Sequence, residues 1–364
     1  MRYLSVCSGM EAASVAWSDL GWKAVGFSEI EPFPCEILKQ RFPNVKNYGD
    51  LEKYREWDIE PGTVDVLVGG TPCQSFSLSG LKKGMDDPRG NLALIFLGLA
   101  ERIKPRWIIW ENVFGVLSAN GGRDFGTFLA ALGNIGYGWS YRLLDAQYVG
   151  RCEMHAQDGE GPVPQRRKRI YLVAHLGDWR PTTAVLFESE SIGRMAIADG
   201  KEKQETPATS GTCVEKDNFP FGTAANPEIA NTVQTTSNDY SRADSFNTVV
   251  TRRRHSIVRT CDTRLLGKVE ERDVCPTIKA NSKSGDNEPL AFDSEELTVR
   301  RLTPNETLRL QGFPDNWTRI PWRGKSADDC PDSPQYKAIG NSMATNVIRW
   351  VGKRIQEFED HAKV

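Results

Sequence analysis

The sequence has no Cys-x-x-Cys pair and only four histidines. Its eight cysteines are scattered, at 7, 35, 73, 152, 213, 261, 275 and 330. That spread excludes a zinc-type ligand spacing, so no metal is expected. It also fits a reducing compartment, where a working thiolate survives. Long hydrophobic runs are missing as well. The apolar stretches at 92–99 and 107–110 fall far short of the roughly 20 residues a helical span needs. The first residues lead straight into a strand with no room for a signal peptide, and a cytoplasmic protein with no membrane contact is expected. Charge of one sign is lacking too, with 46 basic against 48 acidic residues and a net charge of −2. An overall basic footprint for nucleic acid is thereby excluded. A local one is not. From Arg242 to Arg272 there are eight basic and four acidic residues, among them Arg252, Arg253 and Arg254 in a row, and a basic patch in a neutral protein is how a DNA-contacting surface shows itself.

What is present is an ordinary globular composition, 39% hydrophobic and 26% charged over 364 residues, enough for two domains. Residues 64–68 form a β-branched apolar run that reads as a buried strand. Gly69-Gly70 ends it and Pro72 stiffens the turn, which puts Cys73 at a strand end. A loop carrying Gly80, Gly84 and Gly90 follows. A cysteine in that position suggests covalent catalysis, although most cysteines are small buried hydrophobes.

In chain order, strands are expected at 3–7, 22–28, 47–51, 64–68, 107–110, 140–144 and 169–174. Helices are expected at 12–20, from Pro32, at 91–103 and at 124–135. This alternation implies an α/β fold with a mostly parallel sheet, whose ligands sit beyond the carboxyl ends of the strands. Ser8, Gly9, Glu29, Asp50, Cys73 and Glu111 all fall at such ends. From 181 to 296 the chain is rich in Thr, Ser, Asn, Asp and Arg, with a faint repeat at 230–235, 246–251 and 275–280 that suggests a second, β-rich domain. Thr303-Pro304-Asn305-Glu306 reads as a capping box, Gly312 as a helix stop, and 343–358 as an amphipathic helix.

Several of these residues suit particular chemistry. The turn at 8–11 allows close backbone approach at a helix N-terminus, and Glu29 is placed to hydrogen-bond a ribose diol. Trp110 and Phe114 are expected to wall Glu111 and favour its protonated form. Should the strand after Gln165-Arg166-Arg167-Lys168-Arg169 run antiparallel, its start lies on the same edge, with Arg167 and Arg169 on one side.

Pro72-Cys73-Gln74, Glu111-Asn112-Val113, Gln165-x-Arg167-x-Arg169, Gln311-Gly-Phe-Pro-Asp315 and Ile339-Gly-Asn341-Ser342 occur in an order that resembles the DNA cytosine-5 methyltransferases, in their phage and prophage branch. The match spans nearly the whole chain apart from about 178–297. The resemblance implies a Rossmann-like, S-adenosylmethionine-dependent methyltransferase sheet (1–177), a β-rich target-recognition domain with a hinge (178–335) and a C-terminal segment returning to the catalytic domain (336–364). It implies that Cys73 adds to C6 of a flipped-out cytosine, that Glu111 bonds N3 and the exocyclic amine, that Arg169 holds O2, and that Arg167 or Arg169 favours the thiolate. S-adenosylmethionine would be met by Ser8, Gly9, Glu29, Asp50, Leu51, Asn341 and Ser342. Double-stranded DNA would be met by Gln74, Ser77, Ser79, Arg89, Arg252, Arg253 and Arg254. Three residues depart from the family pattern: Ser5 stands where Asp is usual, Cys7 where Phe is usual and Glu11 where Gly is usual. The enzyme is expected as a monomer, any restriction endonuclease paired with it being a separate polypeptide. Two other readings stay open: the same chemistry on RNA cytosine, and a DNA-binding regulator without catalysis.

Overall fold

A computed structural model describes residues 1–72, 92–150, 163–187, 251–253, 256–261, 290–293 and 298–362. Cys73, Gln74, Ser77, Ser79, Arg89 and Arg254 lie outside the described residues, as do the repeats at 230–235 and 275–280.

Six strands form one sheet: β1 (Arg2–Val6), β2 (Lys23–Ser28), β3 (Val66–Gly69), β4 (Trp107–Val113), β5 (Tyr137–Asp145) and β6 (Lys168–Leu176). Their order is β2-β1-β3-β4-β6-β5. The first four strands are parallel, and β6 runs antiparallel to both β4 and β5. The condition set on β6 is met, so its start shares an edge with the ends of β1 to β4. From β1 the chain steps outward to β2, then crosses to β3 on the other side. The order therefore reverses between β1 and β3, and the crevice opened there is where α/β sheets place ligands. Residues 8–11 leave β1 on one side of it, and residues 70–72 leave β3 on the other.

Alternation along the strands feeds two cores. Leu4, Val6, Leu67, Ile108 and Trp110 face one side, where they pack with helix α3 (Leu92–Ile103) and helix α4 (Arg123–Asn134). Tyr3, Val66, Val68, Trp107, Ile109 and Tyr171 face the other. There they meet α1 (Ala12–Ala16), α5 (Arg180–Leu186) and the amphipathic C-terminal helix α8 (Thr345–His361), through its residues Val347, Ile348, Val351 and Ile355. A third core joins Met10 and Ala12 to Phe33 and Ile37 of α2 (Pro32–Arg41) and to Leu302, Leu308, Leu310, Phe313 and Ile339. Each such buried side chain contributes about 1.5–3 kcal/mol. Exposed ion pairs such as Arg180–Asp178 are screened by water and contribute little, so packing decides the architecture. Residues 180–187 and the segment from 302 onward share these cores, although both fall within the stretch 178–335 expected as a separate domain.

The segment 47–51 is not a strand. Asn47 makes one isolated bridge to Phe27; Gly49 then turns the backbone left-handed (φ 74°), and Asp50 caps a 3-10 turn over Leu51–Glu56. The helix expected over 12–20 stops at Ala16, with Trp17 as its C-cap.

A second, four-stranded antiparallel sheet comprises β7 (Thr251–Arg253), β8 (Ser256–Cys261), β9 (Leu290–Asp293) and β10 (Thr298–Arg301), in the order β10-β9-β8-β7. Arg252 and Arg253 fall on its edge strand β7. After β10 the capping box forms as expected: Thr303 Oγ1 accepts from Glu306 N, and the Glu306 carboxylate accepts from Thr303 N. It opens α6 (Pro304–Leu310), beyond which Gly312 is left-handed (φ 78°). Helix α7 (Asp332–Asn341) follows before α8.

Candidate active site and cofactor crevice

Residues 70–72 are pinned to β4 by two buried hydrogen bonds. Trp110 Nε1 donates to Thr71 Oγ1 at 3.0 Å, and Asn112 Nδ2 donates to Thr71 O at 3.0 Å. Asn112 was legible only as the middle of a motif; its fixing of Thr71 shows only in the fold. Gly70 packs closely here: a Cβ would lie 3.0 Å from Glu111 Oε2 and 3.2 Å from Met343 Cε. Gly70, three residues before Cys73 in the sequence, thus lies beside the Glu111 carboxylate.

Glu111 lies in register with Tyr171, and Val113 with Arg169. The Arg169 guanidinium reaches Glu111, with Nε 3.2 Å from Oε1. Only 12–14% of either side chain is exposed, and Oε1 has no hydrogen-bonding donor among the described residues. The expected Trp110 wall is corrected. Neighbouring strand residues face opposite sides, and Trp110 points away, stacked on Phe128 at 4.4 Å.

Arg167 does different work. It is buried, and its Nη2 donates to Gly340 O (3.3 Å) and Ser342 O (2.6 Å), tying the returning C-terminal segment to the start of β6. Among the described residues its Nε and Nη1 have no partner, nor do the two side-chain amide atoms of the fully buried Gln165. Burial pulls the Arg167 pKa down to about 9, the Arg169 cation adding to the fall, which still leaves it protonated at neutral pH.

Across the crevice, Ser8 N donates to Ser28 O (3.1 Å), and Gly9 N donates to Glu29 Oε2 (2.7 Å). Glu29 Oε1 also accepts from the amides of Ile30 and Glu31, at 2.8 Å each. A carboxylate offers about four acceptor sites, so three are used and one remains. Gly9 is left-handed (φ 56°), and a Cβ there would meet nothing within 4 Å. Ser28 Oγ donates to Gly49 O (2.7 Å), which brings the Asp50 turn alongside. Asp50 Oδ1 is engaged with Glu52 N, and the Leu51 side chain is buried in the core. Asn341 is exposed and Ser342 buried. Ile30, which the sequence reading passed over, is 66% exposed beside Glu29. An apolar side chain left in water directly after a strand-end carboxylate was the available signal.

The departures at Cys7 and Glu11 acquire a physical account. Both are left-handed (φ 50° and 66°), a region costly for residues with a Cβ. Glu11 holds it by capping α1, its Oε1 accepting from Ser14 N (3.0 Å) and Ser14 Oγ (3.1 Å). Ser14 Oγ in turn bonds Tyr3 Oη at 2.5 Å. Burial raises the Cys7 pKa to about 12, with Glu29 adding to it, and raises that of Cys35 for the same two reasons. Neither is a working thiolate at neutral pH.

Glu11 is fully buried, and burial raises its pKa to about 7, against the pull of Ser5 and Ser14. A carboxyl raised in the folded state binds a proton on folding. Its stabilising effect is therefore complete below the ordinary value near 4.5 and is lost as pH rises through about 7. Urea titrations of the wild type and Glu11→Gln at pH 5 and pH 7.5 are expected to show the variant gaining relative stability at the higher pH. The gain should be on the order of 2–3 kcal/mol. A pH-independent difference would contradict the burial argument.

The family model for C-5 cytosine-specific DNA methylases matches residues 1–357. A relative named DNA N-6-adenine-methyltransferase, from Escherichia phage P1, is 32% identical over 97% of this chain, which spans 61% of that protein's length. The type II methyltransferase M2.BsuMI of Bacillus subtilis is 25% identical over 98% of this chain and 76% of its own. Among solved structures, a Spodoptera frugiperda DNMT2 mutant aligns with a TM-score of 0.56 at 18% identity, covering 98% of this chain and 99% of that one. A putative DNA modification methyltransferase from an E. coli prophage aligns with a TM-score of 0.54 at 16% identity over 99% of both. At such identities the structural likeness shows the fold.

Proposed function

The chain belongs to the C-5 cytosine-specific DNA methylase family, and on that footing we propose that it methylates C5 of a cytosine swung out of duplex DNA. The observation that carries the reading is the Glu111 carboxylate. It is held by Arg169, has one oxygen without a donor among the described residues, and stands beside Gly70, three residues before Cys73 in the sequence.

Family and fold imply S-adenosylmethionine as the methyl donor, which supplies an electrophilic methyl group when bound. The crevice suits it: an open left-handed glycine, a carboxylate with one acceptor site remaining for a ribose hydroxyl, and the exposed Ile30 as an apolar wall for a base. Ser8, Gly9, Glu29, Asp50, the Leu51 backbone, Asn341 and Ser342 would hold it.

In this reading the Cys73 thiolate forms a bond to C6, and the C5–C6 π pair moves to C5. Glu111 bonds N3 and the exocyclic amine while Arg169 bonds O2, offsetting charge as it builds in the ring. After C5 gains the methyl group it loses its proton, and the returning electron pair expels Cys73. The faces of a stacked base cannot be reached, so the cytosine must leave the helix. We assign sequence reading to the second sheet, with Arg252 and Arg253 on its edge strand and Arg254 next in sequence, and further DNA contacts to Gln74, Ser77, Ser79 and Arg89.

One relative is named for adenine N6, a reaction that needs no thiol addition to the ring. Incubating plasmid DNA or an RNA transcript with methyl-labelled S-adenosylmethionine, then separating the nucleosides, distinguishes these cases. Labelled 5-methyldeoxycytidine is expected. N6-methyldeoxyadenosine, label in RNA alone, or no transfer at all would each replace this reading with another.

A further inference from the structure

The turn at residues 8–11 is held from a part of the chain some 300 residues away. The Met10 side chain is fully buried in the third core, among Leu302, Leu308, Leu310 and Phe313. The Met10 carbonyl accepts a hydrogen bond from Trp317 Nε1 at 2.8 Å. Trp317 is itself fixed on several sides. Arg41, at the end of α2, donates to Asn316 O (2.6 Å) and Trp317 O (3.0 Å), and its guanidinium lies 5.1 Å above the indole. Phe42 and Phe313 pack against the ring at 6.0 Å each. Asn305 and Asn316 bond each other reciprocally, Asn305 Nδ2 to Asn316 Oδ1 at 3.1 Å and Asn316 N to Asn305 Oδ1 at 2.8 Å, which locks the left-handed turn at Asn316 (φ 60°) to the start of α6.

The opposite side of the same turn is the one facing the crevice. Gly9 N is committed to Glu29 there, and beside Gly9 the space is open. The turn closes on itself through Glu11 N, which donates to Ser8 O at 2.9 Å, and Ser8 N and Gly9 N tie it to the end of β2. On its underside the Met10 side chain and carbonyl tie it to the third core.

We infer that Trp317 is a positioning residue for cofactor binding, holding the 8–11 turn in its receiving shape through the Met10 carbonyl. The inference rests on the reading of that turn as part of the S-adenosylmethionine site. Trp317 reaches the cofactor only through the turn, so its loss changes affinity for the cofactor and leaves the chemistry at Glu111 alone.

The test is Trp317→Phe, which keeps one aromatic ring near Phe42, Phe313 and Arg41 and removes the N–H donor together with part of the indole, so a thermal melt accompanies each binding measurement. By titration calorimetry, the Kd for S-adenosylmethionine is expected to rise about five- to tenfold, the net worth of one hydrogen bond. The KM for S-adenosylmethionine should rise in step, with kcat and the KM for DNA unchanged. Arg41→Ala serves as the second variant. Arg41 is exposed, so its removal spares the core, yet it releases the backbone that carries Trp317. A smaller rise of the same kind is expected, about two- to fivefold. Wild-type affinity in both variants overturns the inference, and so does a fall in kcat and thermal stability with no change in Kd. Should the wild type itself bind no S-adenosylmethionine, the cofactor reading fails, and that result is distinct from either outcome for the variants.

Discussion

Cys73→Ala is expected to abolish methyl transfer to DNA, by roughly 10⁴-fold or more, while leaving the affinity for S-adenosylmethionine within about twofold of wild type. The size follows from the chemistry. C5 of cytosine is a poor nucleophile until addition at C6 breaks the ring's conjugation, and an alanine offers nothing that can add. Free cysteine, with a pKa of about 8.5, is only a few per cent thiolate at neutral pH. In the proposed mechanism the Arg169 cation favours the anion, whereas burial, with Glu29 adding to it, pushes Cys7 and Cys35 the other way. DNA carrying 5-fluorocytosine gives the direct readout. Fluorine at C5 blocks the final elimination, so the wild type should form a denaturant-resistant adduct whose cross-linked peptide contains Cys73. An adduct at any other thiol, or undiminished turnover in Cys73→Ala, would sink the proposed mechanism.

Glu111→Gln should lower kcat by about 10²- to 10³-fold with little change in the KM for S-adenosylmethionine. Gln keeps the shape and one carbonyl acceptor but neither carries the charge nor donates as a protonated carboxyl can. It also leaves Arg169 facing a neutral amide. Because the Glu111–Arg169 pair is mostly buried, removing one partner destabilises the fold by up to about 3–5 kcal/mol. Thermal melts must therefore accompany the kinetics. A double-mutant cycle with Arg169→Gln separates the two effects: if Glu111 acts only as a structural partner of Arg169, the double variant recovers stability and activity together. On the mechanism proposed here stability returns and activity does not.

The framework was legible in the chain because its signals are local. The β-branched run at 64–68 and the apolar stretches beginning at 3 and 107 have strand period, and the observed strands lie on them within a few residues. The capping box at 303–306 and the apolar face of α8 follow from side chains three and four apart. Where reading failed, a local competitor won. At 47–51 a left-handed Gly49 and the Asp50 cap overrode a weak strand signal. At Trp110 the error was one of facing: adjacency in sequence was taken for adjacency in space, although a strand turns its neighbours to opposite sides.

The amino-acid sequence by itself determined which residue types stand at the strand ends, and hence the chemical inventory of the site: a thiol, a carboxylate, two guanidiniums and a glycine turn. Tertiary structure alone decided how that inventory divides. It set Arg169 against Glu111 and Arg167 against the carbonyls of Gly340 and Ser342, and it gave Met10 to Trp317. The reason is that contacts between residues from 58 to 307 positions apart depend on how the strands pair and the three cores pack. Two arginines separated by one residue are equivalent in any local pattern until that packing brings a different partner to each.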